Sequence, residues 1–226
     1  MATRRRSRVR PFPRASRTGR NPRQRRDRRP TRDVILDVAE RRFAERGYAA
    51  VSVREIAAEA GLRNQASLYH HFRSKQALYE AVLARGLEPV LALVAESRAA
   101  GGLAQWETFI DRLVVYLAEH PHLPRLIQRA ALADRRYLPS AVPRLLRPLY
   151  DEGITVLGGG SWPAADLPHL AAALYVLIFG YFANAGLFQA VTRQDLCSPR
   201  AVARQRRFLR SLLARVLGPG GVAAAG

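Results

Sequence analysis

Apolar side chains recur at helical spacing over most of the chain, and no segment alternates apolar and polar residues convincingly as a strand would. The first helical segment, residues 31–47, begins at a threonine suited to capping and ends at a glycine. Later amphipathic segments cover about 103–120, 122–133, 140–157, 166–191 and 198–217, and glycine- or proline-rich stretches separate them. This pattern predicts an all-α protein.

Two short helices are predicted between the first helix and residue 72. In "SVREIAAEAG", Ser52 and Glu55 form the S-x-x-E pattern in which each side chain bonds the backbone amide of the other residue. After a short turn, "NQASLYHHF" predicts another helix that begins near Asn64 or Gln65. Two short helices joined by a tight, glycine-containing turn are typical of a helix-turn-helix.

A long helix is predicted from Ser74 to the Gly101-Gly102 pair, with a kink or a break at Pro89. The most apolar stretch, "LAAALYVLIFGYFA" at 170–183, is shorter than the roughly 20 residues that span a bilayer. We therefore expect it to be a buried helix, and we expect no membrane partner.

The adjacent histidines His70 and His71 are the first candidates for chemistry. Neighbouring helix positions do not face each other, whereas zinc-binding helices space their histidines four apart with an acid nearby, so a metal site is disfavoured. Leu68 and Phe72 share one face and form the natural buried pair. His71 flanks that face, which leaves a buried histidine as an alternative for it. The remaining surface is polar and basic, without an acid between positions 60 and 79, and suits phosphate oxygens and base edges.

Charge adds a second signal for an anionic partner. The chain has 37 basic and 18 acidic residues, a formal net charge of +19, and residues 1–30 alone hold 13 arginines and one acid. Such a block suits nucleic acid first and an anionic membrane surface second, and the alternative is a solvated, disordered tail. No catalytic triad, paired carboxylates or phosphate-binding glycine loop appears, so we expect no enzyme activity, cofactor or metal.

The stretch "SVREIAAEAGLRNQASLYHHFRSKQAL", with the preceding "ILDVAERRFAERGYAAVSV", resembles the DNA-binding domain of TetR (tetracycline-repressor-like) family transcriptional regulators. The resemblance covers about residues 31–80, where the cap, the turn glycine, the L-Y-x-H-F run and the Ser-Lys pair fall in order. It implies that the first three helices bind DNA as a dimer, with the third helix in the major groove. Seven residues separate Gly61 from Tyr69, one more than the commonest family spacing. The extra residue most simply enlarges the turn at Arg63-Asn64.

The resemblance also implies roles for side chains of the third helix. Ser67 and Tyr69 would face bases or their methyl groups, and His70 would lie at the boundary between bases and backbone. His71 and Lys75 would hold phosphates.

On the second helix, the resemblance implies that Ser52 favours a phosphate at the amino end and that Arg54 reaches a guanine edge. The complete candidate set for DNA binding is Ser52, Arg54, Asn64, Gln65, Ser67, Tyr69, His70, His71 and Lys75.

Family members follow this small domain with a helical domain that dimerises and often encloses a small-molecule pocket. Segments 166–191 and 198–217 indicate a four-helix dimer interface, and the alternative is that both pack only within the monomer. The candidate pocket residues, for each of which ordinary core packing is the alternative, are Trp106, Phe109, Tyr116, Gln128, Tyr150, Tyr175, Phe179 and Phe182.

Four parts are therefore expected. They are an Arg-rich disordered arm (1–30), a helix-turn-helix DNA-binding domain (31–80), a larger helical regulatory and dimerisation domain (81–218) and a flexible C-terminal tail (219–226). The leading hypothesis is a cytoplasmic, nucleoid-associated transcriptional repressor. It would bind a near-palindromic operator in double-stranded DNA as a homodimer and respond to a small-molecule effector. The alternative is a sequence-tolerant nucleic-acid or anionic-surface binder in which the Arg-rich tail dominates.

Overall fold

The computed structural model describes residues 31–100, 103–132, 141–158 and 162–217. These ranges contain helices and no strand, which confirms the all-α prediction. Helices α1 to α4 are Thr31–Ala50, Val53–Glu59, Gln65–Tyr69 and Lys75–Ala100, and α5 to α8 are Leu103–Glu119, His122–Leu132, Ala141–Leu157 and Leu167–Tyr175. A π-helical turn, Val176–Gly180, leads into α9 (Tyr181–Ala183), α10 (Ala185–Thr192) and α11 (Pro199–Leu217). The predicted N-terminal arm, the Gly101-Gly102 break and the C-terminal tail lie outside the described residues.

The starts and stops of α1 and α2 agree with the sequence pattern. Gly47 interrupts α1 with a φ of 79°, a backbone conformation that costs glycine little. The Ser52 hydroxyl accepts a hydrogen bond from the Glu55 amide at 3.1 Å, and the Glu55 carboxylate accepts one from the Ser52 amide at 2.7 Å. The predicted capping box is therefore confirmed.

Helix α3 is shorter than the sequence predicted. It ends at Tyr69, and His70 forms its C-cap, so His71 lies beyond the helix. The Leu68 carbonyl accepts hydrogen bonds from the amides of both His71 and Phe72, which closes the last turn. Ser74 then caps the start of α4, because its hydroxyl accepts a hydrogen bond from the Ala77 amide at 3.0 Å. A capping residue leaves the helical backbone conformation, so α3 cannot run through to α4.

Helix α4 continues through Pro89, so of the two predicted outcomes, a kink or a break, the break is excluded. Pro89 itself is exposed, whereas Leu87, Val90 and Val94 on either side of it are buried in the core. Packing of this apolar face before and after Pro89 offsets the loss of one backbone donor. The predicted domain boundary at residue 80 falls inside this continuous helix.

Helix α1 is held against the larger helical bundle by polar contacts as well as apolar packing. It packs on α4 and α6. Arg85 of α4 donates to the carboxylates of Asp37 and Glu40 at 2.8 and 2.7 Å. Arg129 of α6 donates to the backbone carbonyls of Ala44 and Glu45 at 3.0 and 2.9 Å, at the end of α1 next to the helix-turn-helix.

The apolar segment predicted at 166–191 forms two helical parts that meet at a bend, rather than one continuous helix. The part Leu167–Ala183 bends by 66° into Ala185–Thr192. At the bend the Gly180 carbonyl accepts the ordinary helical hydrogen bond from the Asn184 backbone amide at 3.1 Å and a second one from the Asn184 side-chain amide at 2.8 Å. No single helix in the described ranges is long and apolar enough to span a membrane, although this bent pair passes the same test when joined.

Burial of the last helices is incomplete in the single chain. Ile178, Phe179 and Phe182 are buried as predicted, but Val176 in the same apolar stretch is 61% exposed. On α11, Leu209 and Leu213 are buried, and α11 packs on α5. Part of the α11 apolar face is therefore used within the monomer.

Candidate functional site

The α2–α3 unit presents a polar surface to solvent. In the second and third helices and the turn after them, the exposed candidates for DNA binding are Ser52, Arg54, Asn64, Gln65, Tyr69, His70 and His71, and Ser67 and Lys75 are half-buried. Leu68 and Phe72 are 0% and 5% exposed, which confirms the predicted buried pair. A buried histidine at position 71 is excluded by its exposure.

Asn64 fixes the entry of α3. Its side-chain oxygen accepts hydrogen bonds from the Ser67 amide at 3.0 Å and from the Ser67 hydroxyl at 3.2 Å. Asn64 is therefore the N-cap, and the turn between α2 and α3 runs over residues 60–64. Arg63 and Asn64, where the extra residue is expected, lie in this turn, and Gln65–Tyr69 form the helix.

Arginines of α1 neutralise the two acids of α2. Glu55 accepts a hydrogen bond from Arg46 at 2.8 Å, and Glu59 accepts from Arg42 at 2.5 Å and also from Arg41. The Arg42 hydrogen bond is the main reason that the pKa of Glu59 lies below its usual value. These carboxylates therefore add little net repulsion for a phosphate near the α2–α3 surface.

The pKa of Glu55 is lowered to about 2, first by the hydrogen bond from the Ser52 amide and then by Arg46. Because this pKa lies below its ordinary value of 4.5, the ionised cap stabilises α2 fully above about pH 4.5, and this stability is lost as pH falls through 2. We expect NMR titration to show the Glu55 carboxyl protonating near pH 2. In the control variant Glu55→Gln, which can still form the cap, the α2 amides should show less pH dependence over that range. Titration of Glu55 near pH 4.5 would contradict this assignment.

Two cation–aromatic contacts lie beside this surface. The Lys75 ammonium is 4.3 Å from the centre of the Tyr48 ring, and the Arg32 guanidinium is 5.1 Å from the centre of the Phe72 ring. Arg32 is not among the DNA-binding candidates predicted from the sequence. Its position at the start of the helix that precedes the helix-turn-helix could have indicated that it lies beside this surface. The stacking of Arg32 on Phe72 places a permanent positive charge next to the turn that carries His71.

A cavity of about 330 Å³ lies in the larger helical bundle, between α5, α7, α8, the π-helical turn and α11. Five of the eight candidate pocket residues line it: Trp106, Phe109, Tyr150, Tyr175 and Phe179. Trp106 packs edge-on against Phe109, and Tyr175 stacks on Phe179 with ring centres 5.2 Å apart. Burial raises the pKa of Tyr175, so its hydroxyl stays neutral.

The other three candidates lie elsewhere. Tyr116 turns toward α4 and donates its hydroxyl to the Gly86 carbonyl at 2.8 Å. Gln128 lines a separate surface depression beside α1, and Phe182 is fully buried in the core without lining the cavity. The sequence analysis did not name Gly153, which lines the cavity on α7.

The two short helices, their capped turn and the polar surface of α3, on which no acid lies, define a helix-turn-helix of the DNA-binding class. Residues 35–82 match the family model described as "Bacterial regulatory proteins, tetR family". The HTH-type transcriptional repressor KstR2 of Mycolicibacterium smegmatis is 50% identical over 52 residues, which are 23% of this chain and 25% of that protein. Residues 35–82 therefore have the sequence of a TetR-family DNA-binding domain.

The curated relatives are matched only in part, since the aligned segments of the first two cover 25% and 34% of their lengths. Solved structures extend the similarity of fold to most of the chain. The ketosteroid transcriptional regulator KstR2 of Mycobacterium tuberculosis has a TM-score of 0.64 at 20% identity, covering 83% of this chain and 95% of its own. The regulator FadR of Bacillus subtilis, solved with stearoyl-CoA, has a TM-score of 0.62 at 16% identity, covering 83% and 98%.

Proposed function

We propose that this protein is a cytoplasmic, homodimeric transcriptional repressor that binds a near-palindromic operator and releases it when a small molecule binds. The carrying observation is the α2–α3 surface: a capped short helix whose Leu68 is buried, while Gln65, Tyr69 and His70 are exposed to solvent. A helix anchored in this way presents polar side chains rigidly to a groove, as sequence recognition requires. The curated relatives named above are transcriptional regulators rather than enzymes, and we assign no catalytic activity to this chain.

Two kinds of DNA contact are proposed for the candidate residues. Tyr69, Gln65 and Arg54, all exposed, would reach base edges or thymine methyl groups in the major groove. Ser67 would face bases beside Tyr69, and His70 would lie at the boundary between bases and backbone.

Phosphate contacts are proposed for Ser52, His71 and Lys75, which flank the recognition helix. Asn64 already uses its side-chain oxygen to cap α3, so its proposed contact would come from the amide nitrogen.

A homodimer is supported by the apolar side chains that remain exposed in the single chain. Among the described residues, eight large hydrophobic side chains are exposed, and five of them belong to the last helices: Val176, Leu187, Phe188, Val191 and Phe208. Exposed apolar surface of this kind marks association sites. We infer that α10 and the exposed side of α11 meet their counterparts in a second copy.

An effector site is supported by the cavity and by the helices that connect the cavity to the helix-turn-helix. Ile178 and Phe179 of the cavity wall belong to the π-helical turn, which contacts α6, and α6 is bonded to α1 through Arg129. The structural neighbour FadR was solved with stearoyl-CoA, and KstR2 is titled a ketosteroid regulator. A ligand that binds better to the arrangement unable to hold DNA would release the operator by differential affinity.

The test of the DNA-binding surface is the substitution Tyr69→Ala. Tyr69 is 45% exposed, so its loss should leave the melting temperature nearly unchanged. Loss of a base contact should weaken operator binding by about 1–3 kcal/mol, or roughly 5- to 150-fold. Fluorescence anisotropy with the selected operator measures this, and Leu132→Ala is the control because Leu132 on α6 is 75% exposed and belongs to neither the DNA-binding surface nor the cavity lining. Equal operator affinity of Tyr69→Ala and Leu132→Ala would remove α3 from the interface.

The Arg-rich segment 1–30 favours the second candidate function, a sequence-tolerant nucleic-acid binder. Thirteen arginines neutralise many phosphates without reading bases, and such binding weakens steeply with salt. A random duplex that competes as well as the best selected site would support this function over the first.

A further inference from the structure

The cavity has a closed end and an open side. Leu113 of α5, Phe179 of the π-helical turn and Leu213 of α11 form the closed end and are at most 4% exposed. On the other side, Tyr150 of α7 and Ala172 of α8 line the cavity and are also exposed to solvent. The exposed part of the lining therefore lies on α7 and α8, and the buried part lies on α5, the π-helical turn and α11.

The lining chemistry excludes a charged group from the closed end. The sixteen described lining residues are aliphatic, aromatic or glycine, and none carries a charge. Their polar side-chain atoms belong to Trp106, Tyr150 and Tyr175 alone. An ionised carboxylate or ammonium buried there would lose its hydration without gaining a partner, which costs several kcal/mol or more. The inner part of the ligand is therefore hydrocarbon.

The volume limits the length of this hydrocarbon part. A cavity of about 330 Å³ has room for on the order of ten water-sized groups, and a methylene is of similar size. Each buried methylene adds transfer free energy until the cavity is full.

From these three observations, we propose that the cavity binds a neutral hydrocarbon body of about ten carbons, with any polar group of the ligand left at the Tyr150 side. This inference deepens the proposed function, on whose effector site it rests. A fatty acid, a fatty acyl thioester and an uncharged lipid share this chemistry and differ only in the group left outside.

Gly153 offers a direct way to block this site. It lines the cavity from α7, and a Cβ added there would meet no atom within 4 Å. A phenylalanine at this position fills space rather than displacing the core. Replacing glycine inside a helix also favours helix formation, so the variant is expected to fold. Gly153→Ala gains the same backbone benefit with little volume and is the matched control.

The experiment is calorimetric titration of the full chain, without DNA, with 1-hexanol, 1-octanol, 1-decanol and 1-dodecanol. Affinity should rise about fourfold per methylene, which corresponds to about 0.8 kcal/mol, up to roughly ten carbons, and then level off. Gly153→Phe should bind 1-decanol at least tenfold more weakly, while Gly153→Ala stays within about twofold. No binding, no dependence on chain length, or equal binding by Gly153→Phe would overturn the proposal.

Charged probes test the placement of the polar end. Decanoate and decanoyl-CoA should bind within a few-fold of 1-decanol, because the carboxylate or thioester head stays at the open side. If decanoate and decanoyl-CoA both fail while 1-decanol binds, the open-side placement is wrong. If only one of these two charged probes binds, the ligand belongs to that probe's class: a fatty acid if decanoate binds, and a fatty acyl thioester if decanoyl-CoA binds.

Operator binding by the unchanged protein is measured separately, with and without 1-decanol. If the protein binds the operator but binds no alkanol, only this inference is contradicted. If it binds alkanols and its operator affinity does not change, the proposed ligand response is contradicted, while the assignment of the cavity is supported.

Discussion

Replacing both Leu187 and Val191 by aspartate is expected to turn the dimer into a monomer and to weaken operator binding by roughly 10²- to 10⁴-fold. The two side chains lie four residues apart on one face of α10 and are 62% and 73% exposed in the single chain. Aspartates on that face must lose hydration when a second copy approaches, without a partner for either charge. The monomer then binds one half-site at a time and loses the gain from linked half-sites.

Because Leu187 and Val191 are exposed, the double variant should keep the fold and melting temperature of the unchanged protein. Leu132→Asp is the matched control, since Leu132 on α6 is an aliphatic side chain with 75% exposure outside the proposed interface. Analytical ultracentrifugation measures the association state, and anisotropy measures operator affinity. A double variant that still sediments as a dimer would place the interface elsewhere. A fully monomeric variant with unchanged operator affinity would contradict operator binding by a dimer.

Leu68→Ala is expected to lower the free energy of unfolding by about 2–5 kcal/mol, because a fully buried leucine leaves a cavity when it is shortened. For a chain of this size the melting temperature should fall by roughly 4–20 °C. Leu68 is 0% exposed and anchors a helix of only five residues, Gln65–Tyr69. Loss of this anchor also frees α3 from its fixed orientation, so operator affinity should fall together with stability.

The neighbouring substitution Tyr69→Ala separates these two effects. It removes an exposed side chain from the same helix and should change stability by less than about 0.5 kcal/mol while still weakening operator binding. Thermal denaturation followed by circular dichroism, with anisotropy on the same samples, gives both quantities. If Leu68→Ala and Tyr69→Ala lower stability equally, the burial pattern assigned to α3 is wrong.

Features encoded by neighbouring residues were predictable from the sequence. The Ser52–Glu55 cap and the Leu68–Phe72 pair follow from spacings of three and four, which have one structural meaning on a helix. The break at Gly47 followed from glycine after a periodic segment.

Features that depend on tertiary context were predicted only in part. The early end of α3 depends on Ser74 capping the next helix, and the absence of a break at Pro89 depends on packing on both sides of it. The bend lies at Asn184, whose side-chain amide donates a second hydrogen bond to the Gly180 carbonyl. In each case the local pattern allows two outcomes, and contacts with the rest of the chain select one.

The candidate pocket shows the same limit. Aromatic residues in the helical domain were a sound starting set, and five of them surround one cavity. Periodicity does not say which apolar face meets a cavity and which meets the core, so Tyr116 and Phe182 were included wrongly among its lining. Gly153 was missed because it contributes empty space rather than a side chain. The DNA-binding residues remain a prediction.

The central claim, that α3 reads a two-fold symmetric DNA site, is tested most directly by selecting bound fragments of genomic DNA with the purified full-length protein. The account predicts enrichment of a near-palindromic sequence whose half-sites lie about one helical turn apart, roughly 34–36 Å. It also predicts that the same selection with Tyr69→Ala loses that enrichment. Recovery of DNA without a symmetric motif, with random duplex competing equally, would contradict the claim and favour binding dominated by the Arg-rich N-terminal segment.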